Sequence, residues 1–139
     1  MLNGLSQHNM DPKGRVTFPS RFRDNLGDMF YVGRGLDSCL FVYSQKEIDE
    51  LKERISKLPM KKGKDVSRFF FGFTETVSPD KQGRILIPQH LRTYAGIEKE
   101  VTIVGTGSRV EIWDSAKWLE YNSEQSQDKL MDDMDELDF

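Results

Sequence analysis

The stretch Asp11-Pro12-Lys13-Gly14-Arg15-Val16-Thr17-Phe18-Pro19 returns 69 positions later as Asp80-Lys81-Gln82-Gly83-Arg84-Ile85-Leu86-Ile87-Pro88. Both copies share the pattern Asp-x-x-Gly-Arg, followed by three strand-type residues and a proline. A chain built from two copies of one unit can pair them about a pseudo-twofold axis and present their loops side by side. The repeat therefore predicts that the protein acts through two Gly-Arg loops.

The length of the chain favours one shared core for the two copies. Units of about 60 residues are marginally stable alone, and the chain has 139 residues, 37% of them hydrophobic and 31% charged. We therefore predict two repeats fused in one structure. The predicted organisation is a first repeat over 1–60, a linker helix over 61–74, a second repeat over 75–122 and an acidic tail over 123–139.

Several features predict a soluble protein of a reducing compartment. No apolar run approaches the roughly 20 residues that a membrane-spanning helix needs, and the amino terminus lacks the basic and apolar regions of a secretory signal. Cys39 is the only cysteine in the sequence, so no disulfide can form within the chain. We therefore expect a cytoplasmic protein with no membrane partner.

Charge is unevenly placed along the chain. Segment 123–139 holds seven acids and one lysine, a net charge of −6. Because the whole chain has a net charge of −3, residues 1–122 have a net charge of +3. A mildly basic folded part is compatible with nucleic acid as a partner. We expect the acidic tail to be solvated and disordered.

Local signals predict the elements of each repeat. Pro19 suits the first position of a helix over Ser20–Asn25, and Gly27 is placed to end it. Ser44 and Glu47 form a capping-box pattern at the start of a second helix. The predicted strands are Arg15–Phe18, Met29–Val32, Leu40–Tyr43, Val101–Val104 and Arg109–Trp113, with turns at Gly33-Arg34-Gly35 and Gly105-Thr106-Gly107.

Between the repeats, residues Met60–Lys64 are predicted to form a basic turn. They are followed by Val66, Phe69, Phe70 and Phe73, which have helical spacing. We expect this phenylalanine stripe to contact the core or a subunit interface and not to stack on nucleotide bases.

Each loop carries residue types that suit binding to phosphate or to guanine. Glycine permits a positive φ and a close approach of the backbone to a partner. Aspartate can accept hydrogen bonds from its own loop, and arginine presents a planar fork that matches two phosphate oxygens or the O6 and N7 edge of guanine. The residues concerned are Asp11, Lys13, Gly14 and Arg15 in the first loop and Asp80, Lys81, Gly83 and Arg84 in the second.

Two other interpretations of the loops remain. Each arginine could simply pair with the aspartate of its own loop and serve the fold. Asp11 and Asp80 could instead share a proton as in a hydrolytic dyad, but a guanidinium four residues from each carboxylate would keep both ionised. We therefore expect no enzyme. Since Cys39, His8 and His90 lack metal-ligand spacing, we also expect no metal and no cofactor.

The motifs that carry a resemblance are Gly4, His8, Asp11, Lys13-Gly14-Arg15, Pro19, Phe22-Arg23 and Asp80-x-x-Gly83-Arg84-x-x-x-Pro88. With them, the chain from Gly4 to about Trp118 resembles the MraZ family of bacterial transcriptional regulators. That family belongs to the AbrB-like, swapped-hairpin group of DNA-binding proteins. The acidic tail looks like an addition to the shared part.

The resemblance implies an α+β fold in which two tandem AbrB-like repeats form one pseudo-twofold β-barrel core with peripheral helices. It also implies a nucleoid-associated homo-oligomeric ring that binds double-stranded DNA. The operator would be short G-rich direct repeats upstream of its own operon, the cluster for division and cell-wall synthesis. By motif match the implied DNA contacts are Arg15 and Arg84 first, then Lys13 and Lys81, then Arg21 and Arg23.

The chain departs from the family pattern in both loops. Pro12 stands where a small residue is usual, and Gln82 replaces the lysine that Lys13 supplies in the first loop. We therefore expect unequal loops, the first making the stronger contact.

An alternative function is an antitoxin-like module that binds both DNA and protein, because acidic tails of AbrB-like antitoxins wrap basic toxins. The tail residues that could fold on such a partner are Leu130, Met131, Met134, Leu137 and Phe139.

Overall fold

The computed structural model describes residues 1–138, and within them the side chains of all residues except 124–126. Phe139, the last residue of the predicted tail, lies outside the described residues. The strands are β1 Leu2–Asn9, β2 Arg15–Thr17, β3 Phe30–Arg34, β4 Leu40–Tyr43, β5 Glu75–Val77, β6 Arg84–Leu86, β7 Glu100–Gly107 and β8 Val110–Asp114. The α-helices are α1 Ser20–Leu26, α2 Gln45–Ser56, α3 Met60–Phe70, α4 Gln89–Ala95, α5 Ser115–Tyr121 and α6 Glu124–Met134.

Six of these strands form one antiparallel sheet in the order β1-β7-β8-β4-β3-β5, and β2 pairs with β6 in a separate ribbon. The repeats exchange strands at both edges of the sheet. At one edge β1 of the first repeat pairs with β7 of the second, and at the other β5 of the second repeat pairs with β3 of the first. Main-chain pairing therefore joins the repeats in both the sheet and the ribbon.

The sheet separates two hydrophobic clusters. The larger cluster takes side chains from the ribbon, α1, α4 and one face of the sheet, among them Val16, Ile85 and Ile103. The smaller cluster lies on the opposite face, where α2, α3 and α5 pack on Phe41 and Trp113. Because the ribbon contributes buried residues to the larger cluster, its position is fixed by the core.

The predicted signals around the first two helices are confirmed. α1 follows Pro19 and ends at Gly27, whose φ of +88° favours glycine. At α2, Ser44 Oγ accepts from Glu47 N at 3.2 Å, and Ser44 N donates to Glu47 Oε1 at 3.0 Å. Both halves of the capping box are therefore present.

The predicted turns at Gly33-Arg34-Gly35 and Gly105-Thr106-Gly107 begin too early, because the connections between the strands start only at Gly35 and after Gly107, which has a φ of +95°. Gly33 lies within β3 and Gly105 within β7. A Cβ at Gly105 would lie 2.6 Å from backbone atoms of Leu2 and Asn3 in β1. The glycine is therefore explained by the close approach of a neighbouring strand and not by a turn.

Residues Met60–Lys64 are also not a turn, because α3 begins at Met60 directly after Pro59. Proline at this place is compatible with a helix start, so the basic residues form the first helical turn. The phenylalanine stripe packs on the core, with Phe70 against the smaller cluster and Phe73 against the larger one, and Phe71 beside the stripe also contacts the smaller cluster.

The tail also differs from expectation, since α6 spans Glu124–Met134 where disorder was predicted. Leucine, methionine, lysine and glutamine are good helix formers, and they outweigh the acidic composition locally. The short edge strand β5 and the long strand β1 were not predicted from the sequence, because neither carries a clear alternating pattern.

Candidate nucleic-acid interface

The first loop is built around one carboxylate. Asp11 Oδ1 accepts from the backbone N–H groups of Lys13 and Arg15 at 3.0 and 2.9 Å, and Oδ2 accepts from Arg15 Nε at 2.7 Å. The main chain closes the same turn, since Asp11 N donates to Arg15 O and Gly14 N donates to Asp11 O, both at 2.9 Å. Gly14 has a φ of +90°, which side chains rarely tolerate.

The second loop has the same hydrogen bonds, position by position. Asp80 Oδ1 accepts from the backbone N–H groups of Gln82 and Arg84, both at 2.9 Å, and Oδ2 accepts from Arg84 Nε at 3.0 Å. Gly83 has a φ of +77°. The repeated sequence thus produces a repeated three-dimensional loop.

The two loops flank one antiparallel ribbon. The paired positions in β2 and β6 are Arg15 with Leu86, Val16 with Ile85 and Thr17 with Arg84. Val16 and Ile85 are buried, and side chains alternate along a strand. Both arginines therefore lie on the outer face of the ribbon, as diagonal neighbours whose Cα atoms are about 7–8 Å apart.

Each end of the ribbon ties one loop to the other repeat. Ile87 N donates to Gly14 O, and Phe18 N donates to Gly83 O, both at 2.9 Å. Gly83 lies opposite Phe18, which is four residues along the strand from Gly14. At about 3.3 Å per residue, the two loop glycines are therefore about 13 Å apart along the ribbon. Asp11 and Asp80 belong to opposite ends, and each is bonded to its own arginine. This geometry contradicts a proton-sharing dyad.

Both guanidinium groups are fixed and partly exposed. The side chains of Arg15 and Arg84 are 36% and 30% exposed, and within residues 1–138 their described hydrogen bonds use Nε alone. The ion pair expected from the structural interpretation is therefore present, yet it leaves the terminal nitrogens of each arginine outside that bond. A guanidinium held at Nε can still present its two Nη groups to a bidentate acceptor.

Hydrogen bonding keeps both loop carboxylates ionised. The N–H groups of Arg15 and Arg84 lower the pKa of Asp11 and Asp80 below the usual value, and the guanidinium of the same arginine lowers it further. Ionised aspartates at neutral pH keep the loops in the described shape.

Two further arginines lie against the loops of the opposite repeat. Arg92 of α4 donates from Nε to Ile87 O at 2.9 Å, and its guanidinium lies 2.9 Å from where a Cβ on Gly14 would be. Arg23 of α1 lies against Gly83, with Nη1 3.4 Å from where a Cβ on Gly83 would be. The sequence-based set contains Arg23 but misses Arg92, although the repeat spacing of 69 connects the two.

The other predicted basic residues divide into two groups. Lys13 and Lys81 are exposed on the loops themselves. Arg21 lies beside β1, with Nη2 3.2 Å from where a Cβ on Gly4 would be and its guanidinium over the Phe22 ring at 4.7 Å. Burial, and to a smaller extent the charge of Arg21, lowers the pKa of His8.

The described part of the chain contains neither a candidate metal site nor a candidate membrane-spanning helix. Residues 1–138 contain no group of three or more histidine, cysteine, aspartate or glutamate side chains placed to hold a metal ion. No helix within the same residues has the length and apolar character needed to cross a membrane.

Comparison with known proteins identifies the family. A family model described as "MraZ protein, putative antitoxin-like" matches residues 1–66 and 70–138. The chain belongs to the MraZ family. The sequence resemblance is thereby confirmed, and the tail is not an addition, because the MraZ match extends through residue 138.

The curated relatives carry the same family name. A protein named Transcriptional regulator MraZ from Acetivibrio thermocellus is 50% identical over 129 residues, which cover 91% of this chain and 90% of the relative. Its namesake from Caldicellulosiruptor bescii is 48% identical over 141 aligned positions, with 99% of both chains covered. That from Finegoldia magna is 46% identical, with 94% of both chains covered.

Proposed function

We propose that this chain is a transcriptional regulator that binds G-rich direct repeats in double-stranded DNA through its two Asp-x-x-Gly-Arg loops. The observation that carries the proposal is the ribbon, which holds Arg15 and Arg84 on one outer face with each guanidinium fixed by an aspartate. The names of the relatives support a role in transcription regulation. Such a role is a binding function and not an enzymatic one.

The ribbon has dimensions that suit the major groove. A groove about 12 Å wide admits a two-stranded ribbon, and arginine recognises guanine by donating two hydrogen bonds to O6 and N7. The bond from Nε to aspartate fixes each guanidinium before DNA arrives, which lowers the entropy lost on binding. Arg15 and Arg84 would then read bases, while the charges of Lys13, Lys81, Arg23 and Arg92 would position the ribbon on phosphates.

We also infer a pseudo-twofold relation between the repeats. The counterparts are β1 and β5, β2 and β6, β3 and β7, and β4 and β8. When each strand is exchanged with its counterpart, the sheet has the same order read in the opposite direction, and the ribbon still pairs β2 with β6. The shared cluster under sheet and ribbon supports a barrel-like core. A homo-oligomeric ring would display several such ribbons, so weak contacts with successive direct repeats would add through effective concentration. The targets would lie upstream of the chain's own operon, in the division and cell-wall cluster, with the protein in the cytoplasm at the nucleoid.

The decisive experiment combines a protein variant with a DNA analogue. Arg15→Ala is expected to cost about 1–3 kcal/mol per engaged site, the usual value of a bidentate base contact. Replacing the operator guanines with 7-deazaguanine removes the N7 acceptor and is expected to weaken the parent protein more than Arg15→Ala, in which only Arg84 would still read a base. Titrations of all four combinations measure this coupling. Equal losses from the analogue in both proteins would contradict base reading by Arg15.

A matched control separates base reading from general charge. Lys46→Ala removes an equally charged side chain that is 86% exposed at the start of α2, far along the chain from either loop. It is expected to leave operator affinity unchanged. The same titrations with Arg84→Ala test whether the first loop makes the stronger contact, as the lysine at position 13 predicts.

The antitoxin-like alternative receives support from the description of the family model. It predicts that a basic protein copurifies with the chain and that removing the tail abolishes this association. The regulator proposal predicts full operator recognition by purified chain alone.

A further inference from the structure

We propose that the acidic tail of one copy docks on a basic and partly apolar elbow of a second copy. The elbow is residues 54–68, which comprise the end of α2, the connection through Pro59 and most of α3. This proposal goes beyond DNA recognition and depends on none of the loop residues.

The elbow is strongly basic. Residues 54–68 contain six basic residues and one acid, a net charge of +5. The basic residues are Arg54, Lys57, Lys61, Lys62, Lys64 and Arg68. Among the described ion pairs only Arg68 has a carboxylate partner, Asp65 at 3.8 Å, and both side chains are largely exposed. The positive charge of the elbow is therefore mostly uncompensated within the described part of one copy.

The elbow is also apolar, which argues against nucleic acid as its occupant. Leu58 and Met60 are 39% and 83% exposed, and they border a surface hollow together with Ile55 and Gly63. The phosphates of a nucleic acid would bind the basic side chains of the elbow but would leave these apolar side chains exposed to water. An amphipathic acidic helix would cover both kinds of surface at once.

The tail has the complementary composition. Its residues 123–139 carry −6, and the exposed apolar side chains among its described residues are Leu130, Met131, Met134 and Leu137. Leu130, Met134 and Leu137 follow at i, i+4 and i+7, the spacing of one helical side. Opposite charges surrounding apolar contacts give an interface both orientation and partner choice.

The structure favours a second copy over the chain's own tail as the occupant. Leu130 and Asp133 of α6 border a hollow with Asp37 and Lys117, beside the β3–β4 connection and α5 and not beside the elbow. Met60 keeps its 83% exposure with the tail in this place. Since each copy has one tail and one elbow, the contact is head-to-tail and can repeat around a closed assembly.

Charge reversal on the two surfaces tests this contact in the full chain. The elbow variant combines Lys61→Glu, Lys62→Glu and Lys64→Glu. The tail variant combines Asp132→Lys, Asp133→Lys and Asp135→Lys. Sedimentation at low salt is expected to show self-association weakened by about tenfold or more in each variant and restored when the two are mixed. Lys46→Glu, on α2 outside the elbow, is the control and should leave association unchanged.

A disulfide trap identifies the occupant. Met60→Cys and Met131→Cys are placed on separate copies that carry tags of different size. Native Cys39 is buried, and burial raises the pKa of its thiol, so background reaction is low. Mild oxidation is expected to join the two differently tagged copies. Circular dichroism checks that each variant folds.

Several results would overturn the proposal. One is a disulfide that forms only when both cysteines are in the same chain, because the occupant is then the chain's own tail. Unchanged self-association in both charge variants is another. A loss of DNA affinity in the elbow variant without a change in association would make the elbow a phosphate-binding surface. Failure of the Arg15 titration leaves this result unaffected, so the two proposals are tested separately.

Discussion

Gly14 and Gly83 occupy equivalent positions in the two loops but have different surroundings. Both have positive φ, at +90° and +77°. A Cβ at position 14 would lie 2.9 Å from the Ile87 carbonyl oxygen and from the Arg92 guanidinium, whereas at position 83 the nearest described atom is Arg23 Nη1 at 3.4 Å. Flexible arginine ends can move, but the Ile87 backbone directly after β6 cannot move without disturbing the hydrogen bond from Ile87 N to Gly14 O.

We therefore expect alanine to be tolerated less well at position 14. Gly83→Ala is expected to lower the free energy of unfolding by about 1 kcal/mol through its φ alone. Gly14→Ala adds a backbone clash and is expected to cost about 3 kcal/mol. Urea unfolding monitored by tryptophan fluorescence measures both. An equal or larger loss for Gly83→Ala would show that the contacts at Gly14 have no energetic effect.

The loop aspartates predict a specific acid response. The hydrogen bond from the Arg15 backbone N–H lowers the pKa of Asp11 below its ordinary value of 3.8, so the folded state binds its proton less readily than the unfolded chain. The resulting stabilisation is fully present above pH 3.8 and is lost as the pH falls through the lower folded pKa. Asp80 follows the same direction.

The test compares Asp11→Asn with the parent protein at several pH values. Asparagine keeps the shape but lacks the charge, so the variant is expected to be less stable near neutral pH. The difference should shrink as the pH falls below 3.8 and the parent's carboxyl is protonated. Asp24→Asn, on the exposed side of α1, serves as the control. A stability gap that stays constant with pH would mean that the ionised carboxylate does not stabilise the loop.

For α2, the capping box links a local sequence signal to stability. Ser44 Oγ accepts from Glu47 N, and the Glu47 carboxylate accepts from Ser44 N. Ser44→Ala removes the first bond and is expected to cost about 1 kcal/mol. Ser44→Asp keeps an acceptor and should recover most of this loss. Thermal unfolding of the parent protein and both variants tests this. If Ser44→Ala has the same melting temperature as the parent, the bond from Glu47 N to Ser44 Oγ does not contribute to stability.

Elements with local signals could be predicted from the sequence, and those with distant partners could not. Pro19, Gly27 and Ser44 act on their own neighbours, so the predicted starts and ends agree with the structure within about two residues. β1 depends on β7, about a hundred residues away, and Gly105 was assigned to a turn because its close contact with Leu2 is not visible in the sequence.

The candidate site shows the same division. Asp11 and Asp80 belong to the repeated motif itself, and the sequence predicted that each could accept hydrogen bonds from its own loop. Arg92 matches Arg23 at the repeat spacing of 69, but its approach to Gly14 depends on how α4 packs across the ribbon. Only the tertiary structure brings an arginine of each repeat to the loop of the other.

Strand exchange makes the two repeats dependent on each other. β1 pairs with β7, β3 with β5, and β2 with β6, so separating the repeats leaves each with unpaired edges and an exposed core face. An unpaired edge strand readily accepts another strand. A single repeat therefore has two ways to exist, either unfolded or paired with a second repeat.

Fragments 1–74 and 75–139 test this dependence. Each fragment alone is expected to lack a cooperative unfolding transition as a monomer, because it loses the partner strands of the other repeat and half of the larger cluster. Mixing the fragments is expected to restore the transition, as monitored by circular dichroism, and to give a one-to-one complex in sedimentation. A fragment that folds by pairing with its own copy would still agree with strand exchange, since the same edges are satisfied. Cooperative unfolding of either fragment as a monomer would contradict it, because a repeat would then be stable without the strands that the other supplies.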